Sequence, residues 1–73
     1  MKLKIVTPTG VKYEGEVSRV QFPAATGLAE ILSGHDKMIA AVRTGRIITD
    51  VQEFDCNGGV LKVENDNITV VCE

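Results

Sequence analysis

The chain has 73 residues, of which 44% are hydrophobic and 25% are charged, and its net charge is −2. This length predicts a single domain over residues 1–73, and a domain of this size buries only about 60% of the surface that its unfolded chain exposes. The basic residues form no run, which argues against nucleic-acid binding and against direct binding to an anionic membrane, because both require clustered positive charge.

The sequence predicts a cytosolic protein without a signal peptide or a membrane span. Its start, MKLKIV, lacks the apolar stretch of a signal peptide, and no apolar run approaches the about 20 residues that a span requires. Because cytosolic thiols stay reduced, Cys56 and Cys72 are expected to be reduced thiols within strands, and a disulfide between them is the less favoured alternative. The two cysteines lack CxxC spacing, so no metal site is predicted.

The first strand and turn are clear in the sequence. KLKIVT alternates charged and apolar residues and predicts a half-buried strand, with Leu3 and Ile5 facing the core. TPTG at residues 7–10 predicts a turn, because proline and glycine readily adopt the backbone angles that a turn needs.

VKYEGEVSRVQF at residues 11–22 predicts one long second strand with an irregularity. Period-2 alternation cannot change parity within a regular strand, so a bulge or bend is expected between Gly15 and Arg19. The residues that are expected to face inward, on either side of this change, are Val11, Tyr13, Val17, Val20 and Phe22.

The rest of the chain also has the pattern of β-structure. AATGLAEILSG at residues 24–34 predicts a short strand or a loop, and KMIAAVRTGRIITDV predicts a hairpin that turns through RTG at residues 43–45. NGG at residues 57–59 and ENDN at 64–67 predict two more turns. Together these signals predict an all-β fold, a small two-sheet β-sandwich or flattened barrel of about eight to ten short strands.

Candidate chemistry is sparse. The chain has one histidine, and its glycines match neither GxGxxG nor GxxxxGK[ST], so no metal triad and no phosphate-binding loop are predicted. His35 follows a glycine and is interpreted as a turn residue, and the acidic residues are scattered singly along the strands. The sequence therefore predicts no catalytic residue and no cofactor.

Lys37 provides an alternative function. Lipoyl and biotinyl carrier domains are flattened barrels of similar length, and they present one lysine at a mid-chain hairpin tip in contexts such as DKA or MKM. Here DKM stands in the middle of the chain. Against this alternative, the turn signal at Ser33–Gly34 precedes Lys37, which leads directly into the apolar IAAV segment.

The order of motifs resembles the N-terminal β-sandwich domain of the epsilon subunit of rotary F-type ATP synthase. The resemblance rests on LKIVTPTG, YEGEV, Phe22–Pro23, Gly34–His35 and the closing GGVLKVENDNITVV, and it covers essentially the whole chain. It implies a non-catalytic central-stalk subunit with no cofactor.

The resemblance also implies partners and a location. The family sandwich links the gamma subunit to the c subunits of the membrane rotor ring, and so couples proton flow to ATP synthesis or hydrolysis in the catalytic head. The chain would then be peripheral, at the cytoplasmic face of the cell membrane, and would contact the membrane only through the complex.

By position, the resemblance points to one loop as the contact with the ring or with gamma. The candidate residues are Thr26, Gly27, Leu28, Glu30, Gly34 and His35. Leu28 stands where the family usually has an acidic residue, and Glu30 is expected to supply that charge instead. Many members continue into a C-terminal helical hairpin, which the 73 residues do not include, so the resemblance implies neither inhibition nor nucleotide binding here.

Overall fold

The computed structural model describes all residues from Met1 to Glu73 and contains seven β-strands and no helix. The strands are β1 (Lys2–Thr7), β2 (Gly10–Glu16), β3 (Arg19–Ala24), β4 (Gly27–Leu32), β5 (Met38–Thr49), β6 (Glu53–Glu64) and β7 (Asn67–Cys72). They pair in the order β2-β1-β7-β6-β5-β3-β4, and all neighbours are antiparallel except the parallel pair β1 and β7. The predicted all-β class is confirmed, although the strands number seven.

Two long strands divide this sheet into two layers. In layer one, β2, β1 and β7 continue into residues 59–64 of β6 and 38–42 of β5. In layer two, β4 and β3 continue into residues 44–49 of β5 and 53–57 of β6. The strands β5 and β6 are each 12 residues long, and they belong to both layers.

The passage between the layers is a corner in β5 and β6. Val42 pairs with Gly59 and Thr44 with Asn57, so the register is the same on both sides of the corner, and only the intervening pair of Arg43 and Gly58 is missing. Gly58 adopts a φ of 97°, which favours glycine. A Cβ atom on Gly59 would overlap the carbonyl oxygen of Val71 in the neighbouring strand. The corner therefore needs two adjacent glycines, one for its backbone angle and one for its close packing.

The inward faces of both layers form one core of 15 buried residues. Layer one contributes alternate residues such as Leu3, Ile5 and Val70, as the alternation in KLKIVT predicted. Layer two contributes Val20 and Phe22, which are fully buried. Since few aromatic residues are available, the core consists mainly of branched aliphatic side chains.

The predicted long second strand is wrong in one respect. The parity change expected between Gly15 and Arg19 is present, but it separates two strands, since β2 ends at Glu16 in layer one and β3 begins in layer two. The inward prediction for Val11 is also wrong, because it is 56% exposed. A register shift opposite Ile5 and Val6 turns the start of β2 to the outer face.

Two predicted hairpins are also corrected by the structure. RTG at 43–45 and NGG at 57–59 both lie inside continuous strands, at the corner where β5 and β6 change layers. This explains why there are seven strands and not eight to ten. The predicted turns at TPTG and ENDN are present, and Asn65 and Asp66 both have positive φ, as a type I′ turn requires.

The two cysteines are joined in a disulfide, so the prediction of reduced thiols is wrong for this structure. Their Cα atoms are 5.6 Å apart, and both side chains are almost completely buried. The prediction rested on the redox state of the compartment, whereas the corner in β6 places Cys56 beside the end of β7.

The structure has no helix that could cross a membrane.

Candidate functional site

The six candidate contact residues lie along and beside β4, which is an edge strand. The β3–β4 hairpin turns through Ala25 and Thr26, and Gly27 then opens β4 with a φ of 129°, a conformation that favours glycine. Leu28 follows with 66% of its surface exposed. The segment predicted as a short strand or a loop is thus a strand with a tight turn before it.

The structure separates these candidates into two groups. Thr26, Gly27 and Leu28 form the tip of the hairpin, whereas Gly34 and His35 follow the other end of β4. Six strand residues span roughly 20 Å, so the two groups cannot contact one small partner surface together. Glu30 lies between them and accepts a hydrogen bond of 2.8 Å from the amide nitrogen of Gln21.

The loop after β4 packs against the turn that precedes β7. Lys37 lies 3.5 Å from the carboxylate of Glu64, whose pKa is lowered mainly by Lys62 and further by Lys37. Ser33 donates a hydrogen bond of 3.2 Å to Asp66, and the ring of His35 is within 2.8 Å of the carbonyl oxygen of Asp36. Lys37 is 71% exposed but stands at the entry of β5, whereas a group carrier presents its lysine at a hairpin tip.

An apolar row crosses the outer face of layer one. In the strand register, five residues lie side by side on this face: Ala41, Val60, Val71, Val6 and Val11. Three of these valines are between 48% and 56% exposed. At ordinary strand spacing the row is about 19 Å long. Exposed apolar residues that are contiguous, as in this row, mark interaction surfaces more often than isolated ones do.

The next row of the same face is largely charged. Ile39, Lys62, Thr69, Lys4 and Glu14 lie side by side there, beyond the apolar row, and Ile39 is 74% exposed. Lys62 also lies 3.3 Å from Glu64 on its own strand. An apolar strip beside a charged row has the arrangement of a protein interface, in which polar groups surround an apolar centre.

The outer face of layer two is different, because polar pairs separate its exposed apolar residues, as Glu30 separates Leu28 from Leu32 along β4. Arg46 lies 2.9 Å from Glu53 and 3.5 Å from Asp55, and these carboxylates, Glu53 above all, raise the pKa of the guanidinium. Gln21 and Glu30 form the hydrogen bond described above on this face. Layer one also carries ion pairs, but its exposed apolar residues form an unbroken row, so it presents the better protein-binding face.

Sequence reasoning missed the apolar row. Each member is an outward residue of a different strand, and the five come together only when all five strands are in register. One signal was available, since Val60 and Val71 each stand next to an inward valine or leucine and so break the apolar–polar alternation of their strands. The sequence could indicate the anomaly but not that the residues are neighbours.

Comparisons with known proteins agree with this architecture. A family profile described as "ATP synthase, Delta/Epsilon chain, beta-sandwich domain" matches residues 1–73. The ATP synthase epsilon chain of Clostridium novyi (strain NT) is 35% identical over 99% of this chain. The ATP synthase epsilon chain of Chlorobium limicola is 34% identical over 99% of this chain and 88% of its own length.

The chain spans 59% of the length of the Clostridium novyi relative and 55% of that of the Endomicrobium trichonymphae relative, another ATP synthase epsilon chain. A chain in the central stalk and c-ring of the Tetrahymena thermophila mitochondrial ATP synthase has a similar fold, with a TM-score of 0.85 over 99% of this chain and 62% of that chain. Its sequence identity is 14%, so this likeness concerns the fold alone.

Proposed function

The chain belongs to the family of ATP synthase delta/epsilon β-sandwich domains, and from this membership we propose that it is a non-catalytic part of the central stalk. In this function it links the gamma subunit to the c subunits of the rotor ring at the cytoplasmic face of the membrane. Rotation of the ring then passes through the linked parts to the catalytic head, and this transfer couples proton flow to ATP synthesis or hydrolysis.

The apolar row on layer one is the observation that carries this proposal. Its five residues form a contiguous apolar strip on the surface, and such a strip is typical of a binding surface. The gamma subunit is the partner that we assign to it. Binding would bury the exposed parts of Val60 and Val71 at the centre of the contact. The charged row beside it, with Lys62 and Lys4, would form the polar rim that fixes the orientation of the partner.

The tip of the β3–β4 hairpin is the contact that we propose for the rotor ring. Thr26, Gly27 and Leu28 protrude at a tight turn of an edge hairpin, and none of them belongs to the buried core. Gly34 and His35 lie at the opposite end of β4, so they belong to a different surface. In this arrangement the ring and gamma bind different parts of the molecule and can be held at the same time.

The β-structure suits a part that transmits force. The backbone hydrogen bonds number 42, of which 37 lie within the strand ladders, and long-range pairing joins both layers into one core. Such a block deforms little under load, because any bend must break ladder hydrogen bonds or open the packed interior. We therefore assign its function to mechanical attachment, and no step of the reaction to its side chains.

The test is binding of gamma from the same genome to matched variants of this chain. Val71→Lys places a charge at the centre of the apolar row, at a side chain that is 52% exposed. Leu32→Lys makes the same kind of change on β4, where the side chain is 54% exposed, and serves as the control. We expect Val71→Lys to weaken the Kd at least about tenfold, and Leu32→Lys to change it by less than about twofold.

Two different failures can be told apart. If the wild-type chain does not bind folded gamma at micromolar concentration, the stalk function itself is wrong. If the wild type binds and both lysine variants bind equally well, the function stands but the face is wrongly assigned. Melting temperatures of both variants close to that of the wild type would show that the comparison reports binding and not unfolding.

A further inference from the structure

A disulfide joins the two layers at the end of the last strand. Cys56 lies in the part of β6 that belongs to layer two, whereas Cys72 ends β7 in layer one. Both side chains are 3% exposed. The bond lies close to the corner at Gly58, so it connects the layers where β6 passes from one to the other.

The strand end held by this bond has little other support. The pairing of β1 with β7 stops at Val71, so Cys72 has a strand neighbour only on the β6 side, at Gly59. Glu73 donates one further hydrogen bond, of 2.9 Å, to the carbonyl oxygen of Gly58. Segments with few partners open locally before the core unfolds. The disulfide thus holds the part of β7 that would otherwise open first.

A surface cleft beside β2 reaches Cys72, one end of the bond. Its lining also includes Lys12 and two acidic residues, Asp55 and Glu73. The ammonium of Lys12 lies in this cleft and donates a hydrogen bond of 2.8 Å to the carbonyl oxygen of Asp55. The cleft therefore leads a soluble reductant to Cys72, and opening of the end of β7 would expose the sulfur atoms, which are buried in the closed strand.

We propose that the Cys56–Cys72 bond is a reversible redox latch, which fixes the end of β7 to layer two when oxidised and releases it when reduced. The co-reactant is a dithiol reductant. One reductant thiolate attacks one sulfur atom and releases the other cysteine as a thiolate; the second reductant thiol then displaces the first cysteine. The reductant leaves as a disulfide, two electrons pass to the chain, and the two cysteines take up two protons.

The latch makes the stability of the domain depend on the redox state of its surroundings. Closing a loop of roughly 15 residues restricts the unfolded chain enough to change the folding equilibrium about a hundredfold. In the cytosolic compartment assigned under the proposed function, thiols are normally kept reduced. The latch would then be open under reducing conditions and would close when oxidants accumulate.

The test compares the oxidised and reduced forms of the wild-type chain. We expect alkylation after denaturation to modify no cysteine in the oxidised form and two after treatment with a dithiol reductant. Reduction should lower the Tm by roughly 10 to 20 °C. Hydrogen exchange should accelerate at residues 71–73 far more than at Val20 and Phe22, and oxidised glutathione should reverse both changes.

A double variant provides the matched comparison. Cys56→Ala with Cys72→Ala should behave like the reduced wild type and should not respond to reductant. If this variant does not fold, hydrogen exchange on the wild type decides alone. The proposal is overturned if both cysteines alkylate before reduction and oxidised glutathione changes nothing. It is also overturned if dithiol treatment leaves the bond intact in the folded chain, or if reduction leaves exchange at residues 71–73 unchanged.

Discussion

At the scale of single residues, Thr49 is the one buried polar residue, with only 6% of its surface exposed. Its hydroxyl donates to the carbonyl oxygen of Gln52 at 2.8 Å and accepts the backbone N–H groups of Val51 and Gln52 at 3.1 and 3.0 Å. One side chain thus satisfies three backbone groups in the short connection between β5 and β6. The connection depends on this hydroxyl because a buried backbone group without a partner is costly.

Replacing this hydroxyl should destabilise the fold. Thr49→Val keeps the shape and removes the hydrogen bonds, so we expect the free energy of unfolding to fall by about 1–3 kcal/mol. Thr44→Val, on an exposed site of the same strand, is the control and should change it by less than about 0.5 kcal/mol. Urea denaturation of both variants measures the difference, and equal effects at the two sites would contradict the assigned hydrogen bonds.

Asp50 makes the folded state sensitive to acid. Its carboxylate accepts the backbone N–H of Ser18 at 2.8 Å, and this hydrogen bond lowers the pKa of Asp50 below its ordinary value. A group with a lowered pKa in the folded state stabilises the fold above its unfolded pKa of about 3.9, and this stabilisation is lost as the pH falls through the lower, folded pKa.

Asp50→Asn should therefore change the pH dependence of stability. The variant retains an oxygen acceptor but not the charge, so we expect it to melt below the wild type at neutral pH. The gap should close as the pH falls below about 4, because the wild-type carboxylate is then protonated. Melting curves between pH 7 and pH 2 measure this convergence, and a gap that stays constant over that range would contradict it.

At the scale of elements, parity changes and glycines mark the corners of this fold. The parity change after Gly15 and the RTG and NGG segments all mark places where the chain passes between layers. In the sequence they resemble a bulge and two hairpin turns, because glycine and a break in alternation accompany all of these features. A corner differs from a turn only in whether the chain reverses, and pairing with distant strands decides that.

Gly59 provides the sharpest test of the corner. A Cβ atom there would overlap the backbone of Val71, which cannot move without breaking β7 away from β6. We expect Gly59→Ala to cost about 3 kcal/mol or more, and Gly59→Val to prevent folding.

The control for this change is Gly10→Ala. Gly10 also has a positive φ, but no atom lies within 4 Å of its potential Cβ, so the cost should be only the backbone strain of about 1 kcal/mol. Thermal denaturation compares the two variants. Similar melting temperatures would mean that the close approach between β6 and β7 is absent.

At the scale of the whole molecule, the three proposed features occupy different places. The hairpin tip at Thr26–Leu28 belongs to layer two, the apolar row belongs to layer one, and the Cys56–Cys72 bond connects the layers at the corner. A force applied at the tip reaches the apolar row through the shared strands β5 and β6, through the common core and through the Cys56–Cys72 bond. The redox inference therefore bears on the mechanical function, and its cytosolic setting rests on the proposed function.

Sequence patterns were enough to predict the β-class, most of the inward residues, the turns at TPTG and ENDN, and the resemblance to the epsilon family. These features are local, since the alternation of a strand and the backbone angles of a turn depend on neighbouring residues. Tertiary structure alone decided the corner, the outward position of Val11, the disulfide, the separation of Gly27 from Gly34, and the apolar row. Each of these depends on how strands pair with one another, and no pattern within a single strand encodes that pairing or its register.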